Sequence, residues 1–314
     1  MAVYGTGESS NSQFTIHNSQ FIIQNYNYME TKEKDEIREA LRQYVERYPS
    51  QNKAAASLKG ISAGTLSTIL NGKYENISEE MWRNIAAQVS FATPSDGWKI
   101  VETSAFVEIN VALKDAKEEC NTTWVVGEAG CGKTTTAKLF AGEHKEVFYV
   151  SCSEDMKKSD FVREVATRIG IHSAGYNIRQ LWNVILANLQ QMDAPVIIFD
   201  EADKLTEAVF HYFISLYNNL EDHCGIVFLS TDYIKRRINN GLRYEKAGYK
   251  EFYSRIGRKY FELEPTDATD VYAICTANGL TDRRKIDKVV KEASECECDL
   301  RRVKKSVRRE KKGL

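Results

Sequence analysis

Thr122-Thr-Trp-Val-Val-Gly127-Glu-Ala-Gly130-Cys131-Gly132-Lys133-Thr134-Thr135 is the stretch on which the fold turns. Five β-branched or aromatic residues read as a strand, and the turn after them matches G-x-x-x-x-G-K-[ST] before a helical pattern begins. Gly127, Gly130 and Gly132 let the backbone curl until its N–H groups face one anion, and the following helix adds its positive end. Lys133 brings a mobile charge to the β/γ-phosphates of a nucleotide, and the Thr134 hydroxyl is a ligand for Mg²⁺. Cys131 and Thr135 belong to the same cradle. Cys131 reads as a small residue within it, although an exposed thiolate there would block nucleotide.

Outward from this loop, short β-branched or aromatic runs occur at 122–126, 146–152, 195–200, 225–230 and 259–263. Helical patterns such as 159–169 and 178–189 separate them. That alternation requires crossover connections, so an α/β fold with a largely parallel sheet is expected. Beyond Pro265 the strand pattern stops, and 267–278, 282–293 and 299–311 read as three helices. Val196-Ile-Ile-Phe-Asp200-Glu201 is an apolar strand ending in two acids. Downstream of such a loop, Asp200 is expected to hold the hydration shell of Mg²⁺ and Glu201 to polarise an attacking water, which points to hydrolysis of ATP. Gly225-Ile-Val-Phe-Leu-Ser230-Thr231 places two hydroxyls at a strand tip beside the phosphates, or is a plain strand end.

Composition limits the partners. The 314 residues carry 43 Lys plus Arg against 44 Asp plus Glu, a net charge of -1, which excludes a uniformly basic binder but not a local basic patch. No apolar run approaches the roughly 18 residues of a membrane helix, and no basic-then-apolar order marks a signal peptide; a cytoplasmic protein without a membrane partner is expected. The 7 cysteines include no C-x-x-C pair and read as reduced thiols. Cys296 and Cys298 lack the further ligands that a structural zinc site requires.

Residues 1–30 contain no Lys or Arg, and Asn11-Ser-Gln-Phe14 returns as Asn18-Ser-Gln-Phe21. They read as a disordered leader, with Met29 a candidate natural start. Residues 31–89 read as a small all-helical domain, and the turn-rich residues 90–97 as a linker.

The glycine-rich loop, the acid pair, the polar strand tip and the C-terminal helices together resemble an AAA+ ATPase over 98–314, with the α/β core at 98–264 and a helical lid at 265–314. That resemblance implies an arginine finger in Tyr253-Ser-Arg255-Ile-Gly-Arg258, with Arg255 the better match and Arg258 the second. It also implies that Cys298-Asp-Leu-Arg301 carries a nucleotide-sensing arginine, Arg301, with Cys298 where the family has glycine. Lys157 and Lys158 fall where such ATPases present a DNA-facing loop, or are solvated surface charge. Lys53 through Lys73 resembles a repressor-type helix-turn-helix. Ala54, Ala55, Ile61, Leu66, Ile69 and Leu70 face inward there, and Ser62, Thr65 and Thr68 face DNA. Its turn at Lys59-Gly60 is one residue longer than usual, and a helical bundle for protein contacts is the alternative. Domain order, the segment Trp98-Lys-Ile-Val-Glu-Thr-Ser-Ala-Phe106 and the short basic lid resemble the Mu B, TnsC and IstB group of transposition ATPases. The resemblance implies ATP-dependent assembly as a ring or helical filament on double-stranded DNA, delivery of that DNA to a transposase, and hydrolysis that disassembles the complex. A helicase loader or replication-initiation ATPase and an ATP-switched transcriptional regulator are the rival readings.

Overall fold

The structure, a computed structural model, describes Met29 and residues 31–74, 76–89 and 97–313. The leader expected at 1–28 and the linker expected at 90–97 lie outside the described residues, except for Gly97. The described residues divide into two compact units. One holds those up to Tyr44 and those from Lys59 to Val89; the other holds Val45–Leu58 and everything from Gly97 onward. No helix among the described residues is long and apolar enough to cross a membrane.

α1 (Thr31–Glu46) buries one stripe, Ile37, Leu41 and Tyr44. α2 (Gln51–Ser57) follows Pro49, and α3 (Ala63–Leu70) and α4 (Glu79–Gln88) start at Ser62 and Ser78, whose side chains cap them. In the first unit Leu66, Ile69, Trp82 and Ile85 are fully buried. Lys34 pairs with Glu79 at 2.6 Å, and the Tyr74 ring meets Trp82 edge-on. Gly60 takes φ +76° at the turn before α3. α2 belongs to the second unit, so the two helices of the expected helix-turn-helix fall on either side of the division.

The second unit continues with α5 (Ser104–Glu119), β1 (Thr122–Val126), α6 (Lys133–Glu143), β2 (Val147–Ser151), α7 (Lys158–Ile169), α8 (Ile178–Leu189) and β3 (Val196–Asp200). It goes on with α9 (Glu207–Leu220), β4 (Gly225–Ser230), α10 (Tyr233–Arg243), α11 (Tyr249–Arg255) and β5 (Phe261–Glu262). It ends with α12 (Ala268–Ala277), α13 (Arg283–Ser294) and α14 (Leu300–Lys312). The strands form one sheet in the order β2-β3-β4-β1-β5, every pair parallel. Alternate side chains leave its two faces: Trp124, Phe199 and Phe228 pack with Phe161, Phe213 and Phe252, while Val125, Ile198 and Val227 pack with Ala137, Phe140 and Leu113. Helices cover both faces, which is why β3 and β4 are buried along their whole length and apolar up to the Asp200 and Ser230 that end them. β5 is shorter than its sequence pattern: Gly257 and Arg258 turn at positive φ just before it, and only Phe261 and Glu262 join the edge beside β1.

α2 is anchored on this unit. Tyr48 Oη donates to the Arg168 carbonyl at 3.1 Å, and Lys53 Nζ to Asn188 Oδ1 at 2.8 Å. Gly170 lies so close that a Cβ would stand 2.3 Å from the Lys53 carbonyl oxygen. The three terminal helices share a core of their own that includes Val271, Ile274, Ile286, Val289, Val303 and Val307, with Trp98 and Val101 packed against it.

Candidate functional site

The glycine-rich loop leaves the sheet where Gly127 N donates to the Ser230 carbonyl at 3.2 Å. Gly130 and Gly132 adopt φ +81° and +105°, conformations that L side chains resist, and α6 opens at Lys133. The Lys133 ammonium folds back over the loop and donates to the Gly127 and Glu128 carbonyls, both at 2.8 Å. Cys131 is buried, its Sγ 3.7 Å from Lys133 Nζ. Next to the loop, the buried Asp200 accepts three hydrogen bonds. Thr134 Oγ1 and Tyr149 Oη each donate to Oδ2 at 2.7 Å, and Glu201 N donates to Oδ1 at 3.0 Å. Burial, and after it the Asp200 carboxylate, pushes the Tyr149 hydroxyl above its ordinary range, so it stays protonated and donates. Glu201 turns out of the strand at φ +56°, and its carboxylate meets Lys204 Nζ at 2.8 Å. That contact raises the lysine above its ordinary range.

The loop, Asp200, Glu201 and Lys204 border a cavity of about 440 Å³. Gly132, Lys133, Thr134, Thr135, Asp200 and Glu201 line its polar end, joined by Thr231. Ile100, Val101, Phe106 and Ile274 line an apolar part, and Leu300, Arg301 and Lys304 reach it from the lid. The lid meets the loop directly: Leu300 N donates to the Gly130 carbonyl at 3.1 Å, and a Cβ on Gly130 would stand 2.3 Å from the Asp299 carboxyl carbon. The apolar segment is held by Asn278 of the lid, whose Oδ1 accepts from Lys99 N at 2.8 Å and whose Nδ2 donates to Lys99 O at 3.1 Å. Mg²⁺ takes few protein oxygens and keeps waters and phosphates for the rest. The hard oxygens of Thr134 and Asp200, 2.7 Å apart beside a cradle of backbone N–H groups, fit that demand.

Residues 116–238 match the AAA domain family. An AAA domain is present. The chain is 25% identical over 260 residues to the ATP-dependent target DNA activator B of Escherichia phage Mu, covering 80% of each chain. It is 26% identical over 250 residues to the protein of the same name from Escherichia phage D108, covering 77% of each. Among solved structures, the Aeropyrum pernix ORC1 protein in complex with DNA aligns with a TM-score of 0.51 at 16% identity, over 66% of this chain and 59% of that one. That likeness is one of fold.

The AAA domain holds the loop, Asp200, Glu201, Ser230 and Thr231, whereas Arg255, Arg258 and Arg301 lie beyond its matched end. The structure brings Arg301 to the cavity. It does not bring Arg255 or Arg258 there. Arg255, at the end of α11, donates from Nε and Nη2 to Asn218 Oδ1 at 3.0 and 2.8 Å, and Arg258 borders a separate open hollow with Lys259 and Tyr260. Ser230 Oγ accepts from Trp124 Nε1 at 2.7 Å and donates to the Thr231 carbonyl; Thr231 Oγ1 donates to Asp203 Oδ2 at 2.8 Å. Lys157 and Lys158 are exposed where the loop after β2 enters α7. In the first unit, Ser62 Oγ lies 2.9 Å from Thr65 Oγ1, and Thr68 Oγ1 donates to the Gly64 carbonyl, so all three hydroxyls bond within α3 and its cap. Sequence reasoning missed Tyr149, Lys204 and Asn278. Strand alternation carried a signal for Tyr149, since it shares a face of β2 with Ser151, the residue in register with Asp200.

Proposed function

We propose that the chain is a Mg²⁺-dependent ATPase that assembles with ATP on double-stranded DNA, presents that DNA to a transposase and disassembles on hydrolysis. The observation that carries this reading is one cavity that joins an anion cradle, an acid pair, an apolar slot and a lid arginine. The names of the two phage relatives, ATP-dependent target DNA activators, supply the biological direction. The slot of Ile100, Val101, Phe106 and Ile274 takes the base, and the N–H groups of Gly130, Gly132 and Lys133 take phosphate oxygens. Thr134 and Asp200 hold Mg²⁺, which neutralises phosphate charge. Glu201 leaves Lys204, orients the attacking water and accepts its proton; Thr231 and Arg301 face the phosphates. Arg255, which does not line its own cavity and bonds Asn218, serves a neighbouring copy. A site completed by a neighbour requires assembly, and a head-to-tail contact that does not close gives a filament.

The deciding experiment is electron microscopy of the full chain with ATP and random-sequence duplex DNA, alongside binding measured across a salt series. Nucleotide-dependent filaments or rings on DNA support the reading. Tight, ATP-independent binding of monomers to one short operator defeats it. Within the same series, replacing Lys157 and Lys158 together with Ala is expected to weaken DNA binding and leave nucleotide binding intact. Each phosphate contact contributes roughly 0.9 to the slope of log affinity against log salt, so the slope per subunit should fall by about two. An unchanged slope places the DNA elsewhere on the surface.

A further inference from the structure

Building on the ATP-binding reading of the cavity, we propose that Tyr149 is a positioning residue for the Mg²⁺-binding carboxylate of Asp200. Tyr149 lies on β2 opposite Ile198, two residues before the pair Ser151 and Asp200. Two strand residues span about 6.6 Å, close to the reach of a tyrosine from Cα to hydroxyl. The ring carries its hydroxyl to Asp200 Oδ2 at 2.7 Å. Its orientation is set from both sides. One side packs against the apolar face that includes Val147, Val196 and Ile198. On the other, Lys138 Nζ of α6 stands 5.3 Å from the ring centroid. Lys138 is one helical turn after Thr134, so the helix that opens the phosphate cradle presents Thr134 to the carboxylate and Lys138 to the tyrosine.

Asp200 is 2% exposed and has three protein donors. Two of them belong to the phosphate-binding machinery itself: the Thr134 hydroxyl, and the backbone N–H of Glu201. Tyr149 is the third, and it comes from a strand that takes no part in the cavity lining. A hydroxyl oxygen that binds a cation still donates its hydrogen, so Thr134 and Tyr149 can grip Oδ2 together. The plane of the carboxylate is then fixed by the protein before any cation arrives. Hydrogen bonds of this kind, one shell away from a metal, orient the ligand, and losing one costs about 10–100-fold in metal affinity.

The test is Tyr149→Phe in the full chain, which keeps the ring between Lys138 and the sheet and removes only the hydroxyl. ATPγS binding is measured by calorimetry, first in EDTA and then across a Mg²⁺ titration at fixed nucleotide. The expected result is an unchanged affinity in EDTA and a rise of about tenfold in the Mg²⁺ concentration that half-completes the metal-dependent gain in binding. An unchanged or lower Mg²⁺ midpoint overturns the proposal. So does a loss of binding in EDTA, which would mark Tyr149 as a general structural support of the site. A wild-type chain that binds no ATPγS under any condition overturns the ATP reading itself, an outcome distinct from failure of the tyrosine alone.

Discussion

Glu201→Gln is expected to bind ATP as the wild type does and to hydrolyse it at least about a hundredfold more slowly. A positioned general base is worth roughly 10²–10⁴ in rate, and the amide cannot accept the water's proton. Binding is expected to survive because Glu201 forms no part of the phosphate cradle; its carboxylate reaches toward Lys204, and its backbone N–H, which holds Asp200, is kept. With discharge blocked, complexes with DNA should outlive those of the wild type. Phosphate release and the dissociation rate of labelled duplex DNA are the two measurements. Hydrolysis at the wild-type rate would remove Glu201 from the chemistry.

Lys133→Ala is expected to abolish measurable ATP binding, and with it ATP-dependent DNA binding. The ammonium is the mobile positive charge of the cradle, and the carbonyls it touches, Gly127 and Glu128, offer only acceptors to a phosphate. Thermal unfolding separates loss of the site from loss of the fold. Without ligand, the variant should melt within a few degrees of the wild type, because two hydrogen bonds at a part-exposed loop are worth about 1 kcal/mol each. ATP at a hundred times the dissociation constant stabilises a binding protein by about 2.7 kcal/mol, so the wild-type melting point should rise with ATP and that of the variant should not. A variant that still gains stability from ATP would show that Lys133 is dispensable for binding.

What could be read from the chain alone follows locality. The loop 127–134 and the pair Asp200–Glu201 are contiguous, and their spacing carries their geometry. β3 and β4 were legible to within a residue because strands covered on both faces are near-continuous apolar runs, here broken only at their polar tips. β5 was overdrawn because the chain leaves a turn at positive φ at Gly257 and Arg258 and only Phe261 and Glu262 reach the edge beside β1, which an apolar pattern does not report. The contacts that complete the site depend on strand order. Tyr149 reaches Asp200 only because β2 lies next to β3, although 51 residues separate them. The Asn278 bonds to Lys99 bridge 179 residues. Lys204 was legible in principle, three residues after Glu201, but nothing in its spacing distinguishes an ion pair from a solvated charge.

Asn278 has a thermodynamic consequence. Its one amide group binds both the N–H and the carbonyl of Lys99, next to Ile100 and Val101 at the apolar end of the cavity. The same lid touches the polar end through Leu300 and Gly130. The three terminal helices therefore touch the cavity at both ends, and any shift of them alters the space that a ligand occupies. A molecule that binds the lid and favours one of its positions must change the affinity of the cavity for its ligand. By reciprocity, a ligand in the cavity changes the affinity of the lid for that molecule by the same factor, even though the two never touch.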